Sequence, residues 1–409
     1  MSLSFASTEI RADEFRKRRE QARRNGSPAW LWPEVPVESW AATMGKIGKA
    51  ARAVLAGERS PLEATDPMAL SLACYTSGIG PLLGYWAEEG LLDAPGETGA
   101  MLALHLDQGR KRAERSKSRA CEIVAALENS GVPVVVLKGG HTAYCYFPEP
   151  AVRPASDLDL LVPMDSAAQA EGALARAGLE CAGRSQRESS WVPRGKTREP
   201  RSIWLVHADD PWSVDLHSSL DFSASAGAPP ARLDSADPIG TCESWPLDET
   251  AGALSEPLLL LHLAAHASGG LHSLTLLRIV EIVLVVRRDV ESGRLSWDEF
   301  LHVGAEANAL GAVYPALRIA EKLAPGTIPP RILEISAQVA PHRVRTIVDT
   351  LEPATAHRVE RASISEHFMW VTGFSGWVRQ IASDLAPGSD FLPIYQARAY
   401  RLLRGRVTR

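Results

Sequence analysis

The 409-residue chain lacks a long apolar run, a paired-cysteine pattern, an excess of basic charge and any gathering of its Gly and Pro into repeats. Its greasiest stretches, Leu258 to Ala267 and Ile279 to Val286, are interrupted by His262, His266 and Glu281, and neither reaches the roughly 18 apolar residues of a spanning helix. The opening MSLSFASTEIRADEFRKRRE places acids and bases ahead of any hydrophobic stretch, so no export signal is expected from it. The five cysteines, at 74, 121, 145, 181 and 242, show neither CxxC spacing nor an even count, which argues against a zinc knuckle or a disulfide framework. A soluble protein of the reducing cytoplasm, with no membrane partner, is the expectation. A formal net charge of -5 is not the balance of a bulk nucleic-acid binder, although a local basic patch stays open.

What is present is an ordinary globular composition, 45% hydrophobic and 23% charged, with 31 Gly and 28 Pro dispersed along the chain. Collagenous and wholly disordered chains are excluded, and the length predicts two or three domains. Residues 1–63 read as a charged arm followed by a strap in which Trp30, Trp32 and Trp40 stand among prolines. A packing role for these rings competes with a partner-docking patch. Over 64–130 the apolar positions recur at helical spacing, as at Leu102 and Leu106 and again at Ile123, Ala126 and Leu127. The basic run RKRAERSKSR at 110–119 falls in this helical region and reads as a solvated face, with a polyphosphate or nucleic-acid site as the sharper alternative.

The texture changes at Gly131, and residues 131–250 predict a mixed α/β domain. VPVVVLKGG is a β-branched strand entering a tight glycine turn. LDLLVP at 158–163 is a second strand, Ser166 to Ala177 an amphipathic helix, and Ile203 to His207 with Trp212 to His217 a hairpin closed by ADDP. The polar RSQRESSWVPRGKTREPR between them predicts a loop or flap. Residues 251–409 return to helix, clearest in LLLLHLAAH, LLRIVEIVLVVRR and HVGAEANALGAVYPALRIAEKLA, and finish on YQARAYRLLRGRVTR, with five Arg and no acid.

Three features of the 131–250 segment belong together: Lys138 with the Gly139-Gly140 turn, Asp157 and Asp159 in SDLDLLV, and Asp215 in SVDLH. Alternate residues of a strand share a face, so Asp157 and Asp159 project together while Leu158 and Leu160 enter the core. Asp215 on a further strand can complete an all-oxygen site for a hard cation, Mg²⁺ or Mn²⁺. Lys138 is either a cation for a phosphate or the partner of an acid that fixes the turn. His217 shares a strand face with Asp215 and reads as a support for that carboxylate, an acceptor contact or a packing residue. His262 and His266, at i and i+4, have a metal-ligand spacing but no HExxH glutamate; helix packing or lining of the cleft is the expected role.

The string VPVVVLKGG, Arg153 with SDLDLLV, VDLH and then LLLLHLAAH followed by Leu277 and Glu281 resembles the uncharacterised nucleotidyltransferase family of the polymerase-β-like superfamily, over roughly residues 65–300. The resemblance implies an α+β core with a mixed sheet, flanked by helical N- and C-terminal regions. It further implies transfer of NMP from an NTP to a hydroxyl, phosphate or similar group. Asp157, Asp159 and Asp215 would hold two divalent ions. Lys138, Gly139, Gly140, Arg153 and Ser156 would be the nucleotide-binding positions, with the glycines letting backbone N–H groups approach the phosphates. An unidentified small molecule or peptide is the expected acceptor, and the Arg-rich C-terminus could take an anionic partner. A non-catalytic nucleotide-binding scaffold and an RNA-modifying enzyme are the alternatives.

Overall fold

Seven strands form one mixed sheet that divides the hydrophobic interior of the protein. The computed structural model describes residues 9–355 other than 26, 65, 186 and 197, together with residues 368–385. The Arg-rich tail therefore lies outside the described residues. The N-terminal half supplies helices α1 (Ala12–Asn25), α2 (Val37–Leu55), α3 (Pro67–Ser77), α4 (Gly80–Glu88) and the 33-residue α5 (Gly96–Glu128), with a two-strand ladder of β1 (Ser60–Pro61) and β2 (Leu92–Asp93). The main sheet then gathers β3 (Val135–Val136), β4 (Asp157–Leu161), β5 (Leu179–Arg184), β6 (Glu188–Pro193), β7 (Ser213–His217), β8 (Glu243–Trp245) and β9 (Asp248–Ala253) in the order β5-β6-β7-β4-β3-β9-β8. Two pairings, β4 with β7 and β3 with β9, are parallel, and the other four are antiparallel. Short α6 (Gly139–Cys145) follows β3, and α7 (Ala167–Arg176) follows β4.

The C-terminal half contributes α8 (Leu258–Gly269), α9 (Leu276–Glu291), α10 (Trp297–Glu306), α11 (Leu310–Leu323), α12 (Pro330–Val339), α13 (His342–Thr350) and α14 (Gly373–Leu385). Ten of the twelve residues of α8 are buried, because a helix that is apolar all round must be covered on all sides. One face of the sheet, carrying Leu158, Leu160, Val214 and Leu216, packs on the C-terminal third of α5 and on α7. The other face, through Val135 and Leu161, joins the larger core with α8, α9 and α11. None of the helices of the described residues is long and apolar enough to cross a membrane.

Several sequence expectations are corrected by the tertiary packing. Residues 203–207 do not form a hairpin with β7; the antiparallel neighbour of β7 is β6, inside the segment read as a polar loop. The apolar 203–207 stretch spends its backbone elsewhere, since Ile203 O accepts from Trp32 Nε1 at 2.7 Å and Trp204 O from Ser71 Oγ at 2.9 Å. In β6 only Ser189 and Trp191 are buried, a short alternation hidden by its polar flanks. The helical segment at 302–324 is broken where Asn308, at φ 53°, separates α10 from α11. Trp32 and Trp40 are buried and act as a packing strap, whereas Trp30 remains 39% exposed.

The basic run on α5 is not simply a solvated face. Arg112 is buried and donates to the carbonyls of Ala155, His207, Asp210 and Pro211 at 2.9 to 3.3 Å. One guanidinium thereby ties the loops leading into β4 and β7 to the same helix, with its fork of donors matched to four backbone acceptors.

Candidate functional site

The site is set by strand register. In the parallel pair β4–β7, Asp157 lies opposite Ser213, Asp159 opposite Asp215 and Leu161 opposite His217. Partnered residues of a sheet share a face, so Asp157, Asp159, Asp215 and His217 all project to the side covered by α8 and α9. The intervening Leu158, Leu160, Val214 and Leu216 anchor both strands in the opposite core. The local alternation read from SDLDLLV and SVDLH puts the acids of each strand on one face, and the β4–β7 register is what brings the three carboxylates together.

Asp159 is the most enclosed of the three, 5% exposed. Its Oδ1 accepts from Lys138 Nζ at 2.7 Å and lies 3.0 Å from His217 Nε2. Burial by itself would raise this carboxyl, but Lys138 and His217 together hold it well below the usual carboxylate range. Asp157 and Asp215 are pushed the other way, each by burial first and then by the neighbouring carboxylates. Asp215 Oδ1 is buried without a hydrogen-bond partner among the described residues. His217, placed by sequence beside Asp215, instead serves Asp159, with its Nδ1 3.6 Å from Glu188 Oε2.

The Lys138-Gly139-Gly140 turn is strained and fully packed. Lys138 adopts φ 46° and ψ -131°, a backbone region costing of order 1 to 3 kcal/mol for a residue with a Cβ, and its ammonium reaches Asp159 from there. Gly140 N–H donates to Leu137 O at 3.2 Å, so of the glycine pair only the Gly139 N–H lacks a backbone acceptor among the described residues. A Cβ at Gly139 would collide with Arg153 Nη1, and one at Gly140 would sit 2.7 Å from Val136 Cγ1. The space that sequence reasoning reserves for phosphates is, at both glycines, taken by the protein's own side chains.

Arg153 is likewise committed. Its Nε and Nη2 donate to Glu281 Oε1 and Oε2, each at 3.0 Å, and Thr142 Oγ1 donates to the same Oε1. The pair is buried, with side-chain exposures of 11% and 3%, and it fixes α9 against the loop before β4 and the start of α6. Ser156 is exposed at the rim of a cleft lined by Ser116, Gly139, Tyr144, Asp157 and Trp212. Asp157 is therefore the one of the three carboxylates bordering that cleft.

His262 and His266 stack with ring centroids 6.3 Å apart and share their surroundings with Lys138 and Asp159. Burial, then the Lys138 charge, lowers His262 to about 3 and His266 well below its ordinary value, so both are neutral rings in the wall of the site. Arg278, one turn before Glu281 on α9, also faces Asp157 and Asp159 electrostatically. Sequence reasoning missed it, and its only signal was the i, i+3 spacing to Glu281.

As they stand, no three His, Cys, Asp or Glu side chains among the described residues converge enough to hold a metal ion. The donors nevertheless fit a hard cation in kind: two carboxyls raised by burial and by mutual repulsion, and one orphaned buried oxygen on Asp215. On Asp159 both recorded contacts, from Lys138 and His217, fall on Oδ1.

No curated protein and no solved structure among those compared matches the chain. A family model does, over residues 64–325, from α3 to the end of α11 and including every carboxylate, glycine and cation described above. With well over half its length matched, the chain belongs to the uncharacterised nucleotidyltransferase family.

Proposed function

We propose that the protein is a divalent-metal-dependent nucleotidyltransferase with a polymerase-β-like core, transferring NMP from an NTP to a hydroxyl, phosphate or similar group of a small-molecule or peptide acceptor. The observation that carries this reading is the in-register placement of Asp159 beside Asp215, with Asp157 two residues away on the same face. Three carboxylates on adjoining parallel strands, backed by leucine and valine on the opposite side, are rigidly presented. A structural cluster of like charges would raise the energy of the fold without return.

Asp157, Asp159 and Asp215 would hold Mg²⁺ or Mn²⁺, which when bound neutralises triphosphate charge and lowers the pKa of the acceptor. Asp215, with an unpartnered oxygen, is the group suited to orient the acceptor and receive its proton. Lys138 supplies the counter-charge that keeps Asp159 ionised. Arg153 acts at one remove, holding the Gly139 turn and α9 in place through Glu281. The neutral His262 and His266 rings add hydrogen-bonding capacity to the wall without adding cationic charge.

The test is release of pyrophosphate from each of the four NTPs with Mg²⁺ or Mn²⁺ present, across a panel of hydroxyl, phosphate and peptide acceptors. Metal-dependent release that disappears in Asp157→Asn is the expected result. Binding of NTP with no pyrophosphate release in the presence of any acceptor would favour the nucleotide-binding scaffold instead.

A further inference from the structure

The cations around the three carboxylates are unequally engaged. Lys138, Arg153 and Arg278 are the leading positive charges that act on Asp157. Lys138 is bonded to Asp159, and Arg153 is bidentate on Glu281. Arg112, which also borders the cleft, gives its donors to backbone carbonyls. Arg278 alone of this group makes no hydrogen bond and no ion pair within 4.0 Å among the described residues.

The helix explains why Arg278 is held there. It lies three residues before Glu281 on α9, hence on the same side of the helix, and the Glu281–Arg153 pair locks that side against the Gly139 turn. The turn between α8 and α9 passes the guanidinium at Gly270, where a Cβ would lie 4.0 Å from Nη1. Arg278 is half-buried, and a partly desolvated guanidinium with five unspent donors is costly unless an anion completes it. Its fork suits two oxygens of one phosphate or of adjoining phosphates.

We propose that Arg278 binds the polyphosphate of the incoming nucleotide, making it a substrate-contacting residue in place of the internally paired Lys138 and Arg153. The assignment rests on the nucleotidyltransferase reading for the identity of the anion. It places the β- and γ-phosphates on the α9 side of the carboxylates, with the cleft at Tyr144 and Trp212 left for the uncharged part of a ligand.

The experiment titrates inorganic tripolyphosphate, ATP and adenosine, each with Mg²⁺, into full-length wild type, Arg278→Ala, Arg278→Gln and Arg278→Lys by calorimetry, after ligand-free melting has verified folding. Wild type should bind tripolyphosphate and ATP, and Arg278→Ala should weaken both by about 10-fold to 100-fold. Arg278→Lys should recover part of the loss, and adenosine should be insensitive to all three changes. If Arg278→Ala does not fold, the glutamine variant carries the same comparison with the side-chain length largely kept. Affinities within twofold of wild type in every variant that folds would overturn the assignment, as would a wild type that binds neither polyphosphate. Arg278-dependent binding of tripolyphosphate without pyrophosphate release from any NTP would leave the anion site standing and remove nucleotidyl transfer alone.

Discussion

Lys138 Nζ reaches Asp159 Oδ1 at 2.7 Å from a backbone held at φ 46°, so the strained residue of the turn and the most buried carboxylate of the site stabilise one another. The link also couples the glycine turn to β4, because Leu137 N–H donates to Asp159 O at 3.0 Å.

Lys138→Met should therefore lower stability at pH 7 by about 2 to 4 kcal/mol, since it leaves a buried carboxylate with only His217 as partner. The pH response follows from the depressed Asp159 carboxyl. Its stabilising contribution is present above the ordinary value of 3.8 and fades as pH falls below it. Chemical melts from pH 7 to pH 2 should show wild type losing more stability on acidification than Lys138→Met. Parallel acid profiles would contradict the coupling.

The three carboxylates should separate in their kinetics. Asp157→Asn and Asp159→Asn are expected to reduce metal-dependent NTP binding and turnover together. Asp215→Asn should retain NTP affinity within several-fold while turnover falls by about 100-fold to 10,000-fold, or roughly 3 to 5 kcal/mol of transition-state stabilisation. Its fold should be spared, because the substitution removes one of three mutually repelling charges. Near-normal turnover in Asp215→Asn would refute its role at the acceptor.

Mg²⁺ or Mn²⁺ added with NTP should raise the melting temperature by linkage, with zinc unable to substitute at an all-carboxylate site. A melting curve that ignores millimolar Mg²⁺ and ATP together would speak against the site.

The two glycines should fail for different reasons. In Gly140→Ala the new methyl meets Val136 and Leu158, both core residues, and a loss of about 1 to 3 kcal/mol is expected. In Gly139→Ala the methyl displaces Arg153 from Glu281. A thermodynamic cycle with Glu281→Gln should then show coupling of about 0.5 kcal/mol or more for Gly139→Ala and simple additivity for Gly140→Ala.

A second buried acid, away from the site, sets an opposite pH trend. Burial first, and then nearby Asp289, raises Glu256 well above its ordinary 4.5. The folded state thus favours its protonated form, and stability is lost as pH rises from 4.5 through the folded-state value. Glu256→Gln keeps an acceptor for Leu260 N–H and removes the titration. Its melting temperature should equal or trail wild type at pH 4 and gain on it progressively toward pH 8; a constant difference would rule out titration of Glu256 in that range.

The site was legible in the chain wherever a short period carried it. SDLDLLV and SVDLH alternate acid with leucine or valine, and side chains two apart on a strand necessarily share a face, so the sequence alone joins Asp157 and Asp159. The long helices were legible for the same reason, with Leu102, Leu106, Ile123 and Leu127 all buried on α5. The hairpin expectation failed because apolar content at 203–207 does not reveal whether its carbonyls meet a strand or, as here, Trp32 and Ser71.

The amino-acid sequence by itself determined the long helices, the face carrying the acids and the family to which 64–325 belongs. Only the tertiary structure decided how the charges are shared: Lys138 with Asp159 across 21 residues, Arg153 with Glu281 across 128, and Arg278 left without a partner among the described residues. Side-chain periodicity is local and survives in sequence, whereas the pairing of buried charges depends on which strands and helices become neighbours, and a buried charge takes whatever partner that packing brings within reach.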